Sequence, residues 1–129
     1  MWQDNFEHCG GFYGVAGHSG GIEVVSLNSS VLLPNRQSGE SIILRWYYHL
    51  PPTSGGFSSD LKVYIKGSSS SWQLVKTIHP SNPISQGIKG EININGFSDQ
   101  RIYIKFEVIP DSNGVSSGGV TDFALILRT

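Results

Sequence analysis

Gly17-His18-Ser19-Gly20-Gly21 has the G-x-S-x-G spacing in which a sharp turn lifts a nucleophilic serine beside an oxyanion hole. Acyl transfer by such a serine also needs a buried strand before the turn, a helix after it, and later acid and histidine partners on a doubly wound sheet. No segment of this chain has a helical hydrophobic period, and 129 residues are too few for that scaffold. A plain glycine-rich turn is therefore expected, and no catalytic residue is assigned. Cys9 is the single cysteine, so no internal disulfide forms. It is also a weak nucleophile candidate, because nothing in the sequence brings His8, His18, His49 or His79 to it together with an orienting third group. A small buried apolar role is expected for it. The four histidines show no strong metal spacing, and the adjacent His8 and Cys9 point apart on a strand.

The elements that must position any site are strands. Apolar and polar residues alternate in segment after segment with the two-residue period of a strand buried on one face. In residues 42–50, Ile42, Leu44, Trp46, Tyr48 and Leu50 are expected inward and Ile43, Arg45, Tyr47 and His49 outward. In residues 60–66, Leu61, Val63 and Ile65 oppose Lys62, Tyr64 and Lys66. Residues 88–95 set Ile88, Ile92 and Ile94 against Lys89, Glu91, Asn93 and Asn95. Residues 101–109 set Ile102, Ile104, Phe106 and Val108 against Arg101, Tyr103, Lys105 and Glu107. Weaker strands are expected at 22–27, 30–33, 72–78 and 120–128, the last apolar on both faces. Proline, glycine, serine and asparagine clusters separate them. About eight short strands so punctuated predict one all-β domain over residues 1–129, a two-sheet antiparallel β-sandwich of jelly-roll type, either complete or excised from a longer chain.

Composition agrees and sets exclusions. Charged residues are 15% of the chain, and 16 glycines supply turn chemistry. A net charge of -1, from 9 basic and 10 acidic residues, offers no overall field for a polyanion, so neither nucleic acid nor an anionic membrane is expected as a partner and neutral ligands or proteins are favoured. No apolar run reaches the roughly 20 residues of a membrane span. The start, Met1-Trp2-Gln3-Asp4-Asn5, lacks the basic and apolar regions of a secretion signal. The chain is therefore expected to be either intracellular or cut from a longer secreted protein.

A binding face follows from strand phase. If residues 42–50, 60–66 and 101–109 share one sheet, its outer face collects Arg45, Tyr47, His49, Tyr64, Tyr103 and Lys105, flanked by Lys62, Lys66 and Glu107. Tyrosine combines a flat apolar ring with a polar tip, which suits sugars and protein surfaces alike. The same residues also serve as ordinary cross-strand pairs on a solvated face. Trp46 and Tyr48 have core phase, while Trp72, beside a serine turn, fits either role.

Several stretches carry a family resemblance. Asp4-Asn5-Phe6-Glu7 and Ser41-Ile42-Ile43-Leu44-Arg45-Trp46-Tyr47-Tyr48 look like the start and the aromatic strand of a known module. So do Leu61-Lys62-Val63-Tyr64-Ile65, the return Ser70-Ser71-Trp72-Gln73-Leu74, and the run from Ile94-Asn95-Gly96-Phe97 to Tyr103-Ile104-Lys105-Phe106. Together they resemble the MAM-like, cleaved-adhesin or choice-of-anchor jelly-roll modules, over residues 40–129 and a few N-terminal positions. The resemblance implies a non-catalytic module for adhesion or substrate targeting, and a structural calcium or sodium ion held by Glu7 and Asp122, with Asp4 as a third ligand, among backbone oxygens. The expected function is non-enzymatic recognition of carbohydrate or protein in a surface or secreted protein. The alternative is a structural or assembly subunit, such as a virion or surface-layer protein, packing as a homo-oligomer through a sheet face. A hydrolase ranks third.

Overall fold

The computed structural model describes residues 7–9, 23–26, 30–69 and 71–129. Nine strands appear among them: β1 (Glu7–Cys9), β2 (Glu23–Ser26), β3 (Val31–Leu32), β4 (Ser41–Leu50), β5 (Asp60–Lys66), β6 (Trp72–Ile78), β7 (Ile84–Asn93), β8 (Arg101–Ile109) and β9 (Gly119–Arg128). One sheet has the order β1-β9-β4-β7, and the other has β2-β8-β5-β6 with β3 also on β8. Every described pairing is antiparallel. After β4 the chain visits the second sheet for β5 and β6, returns for β7, crosses for β8 and returns for β9, which is the jelly-roll order. No helix among the described residues is long and apolar enough to cross a membrane.

The alternation expected from the sequence is the observed packing. β5 buries Leu61, Val63 and Ile65, β8 buries Ile102, Ile104, Phe106 and Val108, and both meet Ile42, Leu44, Trp46, Tyr48 and Leu50 of β4 in one cluster between the layers. Trp46 is fully buried and packs against Phe106 with ring centroids 5.7 Å apart and planes tilted by 55°. Its indole covers Gly90 on the paired strand β7. β9 is buried on both faces, as its sequence suggested: Phe123, Leu125 and Leu127 join the core, while Ala124 and Ile126 form a second buried cluster with Ile43. Ile43 has the expected outward phase but is covered.

Some boundaries differ from the periodic reading. β7 begins at Ile84, ahead of the alternating stretch, because two extra residues on β7 between Ile84 and Ile88 let Ile84 pair with Leu50 and pack against the core. Ile88 has inward phase yet is exposed, since β7 is an edge strand. The three-residue β1 is too short to show a period. β6, an edge of the second sheet, carries a register shift where Val63 pairs with Lys76 and Tyr64 with Leu74. A bulge and a lysine are devices that blunt an edge against further strand addition.

At one end of the sandwich the β4–β5 and β8–β9 loops are clamped together. Thr53, itself buried, donates its hydroxyl to Asp111 Oδ2 at 2.6 Å, and Asp111 Oδ1 accepts the N–H groups of Asn113 (2.8 Å) and Val115 (3.1 Å). Ser117 N–H donates to Ser59 Oγ at 3.0 Å in the same region. The Thr53 hydroxyl is the main cause that holds the Asp111 carboxyl below its ordinary value; partial burial opposes it, and the Val115 and Asn113 N–H groups add to it.

Two outcomes follow. A Cβ on Gly90 would stand 2.5 Å from Trp46 Cζ2 and 2.7 Å from Nε1, so Gly90→Ala should cost about 1–3 kcal/mol by overpacking. A denaturant midpoint and tryptophan emission unchanged from the parent would contradict this packing. Because the folded Asp111 carboxyl is depressed, its contribution is present above the unfolded value near about 3.9 and is lost as pH falls through the folded value. The gap in Tm between the parent and Asp111→Asn should therefore be widest near neutrality and close in acid; a gap independent of pH would count against the clamp.

Candidate functional site

Two rows of side chains cross the outer face of the five-stranded sheet. β5 pairs with β8 so that Lys66 faces Tyr103 and Tyr64 faces Lys105. β6 pairs with β5 so that Trp72 faces Lys66 and Leu74 faces Tyr64. Directly paired residues share a face, which gives the rows Trp72-Lys66-Tyr103 and Leu74-Tyr64-Lys105. The register shift in β6 sets this alignment, because a strand without it would offset Trp72 from Lys66.

The two lysines and three rings interlock. Lys66 Nζ lies 5.1 Å from the Trp72 ring centroid and 4.8 Å from that of Tyr103. Lys105 Nζ lies 4.7 Å from Tyr64 and 4.5 Å from Trp72. Trp72 and Tyr103 are each 38% exposed, whereas the Lys105 side chain is 20% exposed and pairs at 3.5 Å with Glu107, itself 17% exposed. The Lys105 ammonium is thus part of the floor, and the rings keep surface open to solvent. Burial, followed by the charge and hydrogen bonding of Glu107, holds the Tyr64 phenol above its ordinary value.

The residues expected to form one face are divided between two. β5 and β8 bring Tyr64, Tyr103 and Lys105 together, but β4 belongs to the other sheet, so Arg45, Tyr47 and His49 lie on the opposite outer face. The premise that β4 shares a sheet with β5 and β8 is corrected by the jelly-roll winding, which sends β4 and β5 to different layers. On that opposite face Arg45 lies over the Tyr47 ring at 6.0 Å, and Glu91 is within 3.6 Å of Lys89 and 3.5 Å of Arg128. Trp72, left open by the sequence, takes the place that Tyr47 was expected to fill. Its signal is the aromatic residue that follows the serine-rich turn at the start of β6.

Of the proposed cation ligands, Glu7 and Asp122 are not brought together by the strand pairing. Antiparallel pairing sets Glu7 opposite Ile126, four positions beyond Asp122 on β9, or about 13 Å along the strand. The start of β1 lies beside the end of β9, while Asp122 is near the beginning of β9. Asp122 is the extra residue of a bulge opposite Trp46 and is exposed with φ of 51°, a conformation aspartate tolerates better than most residues. Asp4 and the 17–21 glycine-serine motif lie outside the described residues. No group of three or more His, Cys, Asp or Glu gathers for a metal among the described residues. His79 Nδ1 is 2.6 Å from Asp60 Oδ1, far in sequence from any nucleophile candidate.

A cavity of about 680 Å³ opens at the end of the sandwich, lined by Leu32, Leu33, Pro34, Glu40, Asp99 and Leu127 among others. Its polar groups serve the turn: Glu40 Oε1 accepts the Gln37 N–H at 2.6 Å, and the Asp99 N–H donates to Pro34 O at 3.0 Å. The ring-and-lysine face is the better candidate.

No family model and no curated protein matches the sequence. Among matching solved structures, the CBM22-1 xylan-binding domain from Paenibacillus barcinonensis Xyn10C gives a TM-score of 0.53 at 10% identity, covering 100% of this chain and 99% of that one. Two variants of the family 29 carbohydrate-binding module CBM29-2 give TM-scores of 0.48 and 0.45 at 12% and 16% identity, each covering 94% of this chain and 86% of theirs. At such identity the likeness to the xylan-binding domain is one of fold, and it agrees with the two-sheet sandwich described above.

The Tyr64 environment can be checked by titration. Glu107→Gln should lower the ionisation midpoint of Tyr64, with the burial contribution remaining. Ring NMR shifts of Tyr64 that titrate identically in both proteins would break the proposed contact.

Proposed function

We propose that this chain is a non-catalytic carbohydrate-binding module that holds a saccharide on the outer face of its five-stranded sheet. The observation that carries this reading is the pair of solvent-open rings, Trp72 and Tyr103, set on either side of Lys66 on a rigid three-strand platform. Their strands are two spacings apart, about 10 Å, a span comparable to two linked sugar residues. The C–H faces of a pyranose pack on such rings, and the Tyr64 hydroxyl and Lys66 ammonium supply polar partners for its hydroxyl groups. Side chains braced on a sheet lose little freedom on binding, which favours affinity from a small contact.

A protein partner fits this face less well. A stable protein interface buries about 800 Å² on each side around an apolar centre, whereas here an ammonium occupies the middle of the aromatic row. The xylan-binding domain of similar fold gives a precedent for a saccharide on this scaffold. In the wider setting, the module would serve a surface or secreted protein as an adhesive or targeting unit, in keeping with the resemblance to the MAM-like and cleaved-adhesin modules.

Affinity electrophoresis in gels containing xylan, glucomannan or polygalacturonate tests the reading. Loss of a central aromatic anchor costs about 2 kcal/mol or more, roughly thirtyfold in affinity. Trp72→Ala and Tyr103→Ala should therefore abolish retardation while circular dichroism stays that of the parent. Retardation that survives both changes and disappears in Tyr47→Ala would move the site to the other sheet.

A further inference from the structure

We propose that the saccharide held on this face is anionic, a polymer bearing carboxylate or sulfate groups. This rests on the carbohydrate reading above and goes beyond it by naming the ligand's charge. The cations of the face are unequally matched. Lys105 is paired with Glu107 at 3.5 Å and largely covered. At the other end of the face Asp60 is engaged by His79 at 2.6 Å. Lys66, in contrast, has no carboxylate within ion-pair distance among the described residues, although it lies between the two rings.

Arg101 stands two residues from Tyr103 on the same face of β8 and is exposed; its Nη1 donates to the Ser30 hydroxyl at 3.2 Å. Tyr103 is therefore bracketed by two cations without described carboxylate partners, while Glu107 and Asp60, the acids described on this face, lie toward its opposite end. A saccharide stacked on Trp72 and Tyr103 presents its substituents to Lys66 and Arg101. The surrounding rings exclude part of the water there, which makes an anion at that place worth more than at an open surface. A neutral polymer leaves that potential unused.

Binding of the folded chain to polygalacturonate, to a sulfated galactan and to neutral xylan, each at low and at physiological salt, tests this. Expected is a preference of about tenfold for at least one acidic polymer over xylan, shrinking with salt. The arm with the larger preference tells carboxylate from sulfate. Lys66→Met keeps the apolar stem and should reduce acidic binding to the level of xylan, whereas Trp72→Ala should remove both. Equal binding of acidic and neutral polymers, unchanged in Lys66→Met, overturns the anionic assignment and leaves the carbohydrate reading standing. Failure of every polysaccharide to bind overturns both. Single-stranded DNA bound as tightly as the acidic polymers, with the same dependence on Lys66, also overturns it, because the face would then be a general anion surface.

Discussion

The two layers are joined through the contact of Trp46 with Phe106, and the outer faces inherit their geometry from it. Trp46 is central in β4 and Phe106 in β8, so their packing sets the middle strands of the two sheets over each other. A buried tryptophan of this kind is worth about 3–5 kcal/mol against alanine. Gly90 makes room for the indole on the neighbouring strand. No acceptor for the indole N–H is found among the described residues, a cost of about 1–3 kcal/mol that the packing of so large a side chain outweighs.

Once the inner face is set, the outer face is determined by pleat. With Ile104 and Phe106 directed inward, Tyr103 and Lys105 must face out, and Val63 and Ile65 impose the same on Tyr64 and Lys66. A slip of one residue would drive Lys62 and Lys66 of β5, or Arg101, Lys105 and Glu107 of β8, into the core, so the register is strongly specified. The interlocked rings and ammonium groups then add about 0.5–2 kcal/mol for each close pair. Trp72 gains most from this, because it stands at the start of an edge strand and would otherwise have few neighbours. The platform is thus a by-product of core specification made rigid by cation–π contacts.

How much of this was legible follows from the range of each signal. Alternation is local, and it identified the long strands β4, β5, β8 and β9, most of their buried faces and the core roles of Trp46 and Tyr48. The doubly covered nature of β9 was also visible, because Ala124 and Ile126 interrupt what would be a polar face. Assignment of strands to sheets is non-local: nothing within β4 or β5 states that a short loop carries the chain from one layer to the other. That is why Tyr47 was grouped with Tyr64 and Tyr103. The bulge in β6 was invisible for a related reason, since Leu74, Val75 and Lys76 read as a regular strand until their pairing with Tyr64 and Val63 is known. The expected meeting of Glu7 and Asp122 required a register that no local pattern supplies.

Net charge was the least informative quantity. A total of -1 argues against a polyanion only if the charges are evenly spread, and they are not. At physiological salt a ligand senses charges within about 8 Å, so what matters is the set it touches. Beside Tyr103 that set is Lys66 and Arg101, with Glu107 already committed to Lys105 and Asp60 to His79. Other acids lie elsewhere, among them Glu91 between Lys89 and Arg128 and Asp111 within its loop clamp. A chain that is nearly neutral as a whole therefore presents a locally cationic aromatic face, because Glu107 and Asp60 on that face are engaged by Lys105 and His79 while Lys66 and Arg101 have no described carboxylate partner.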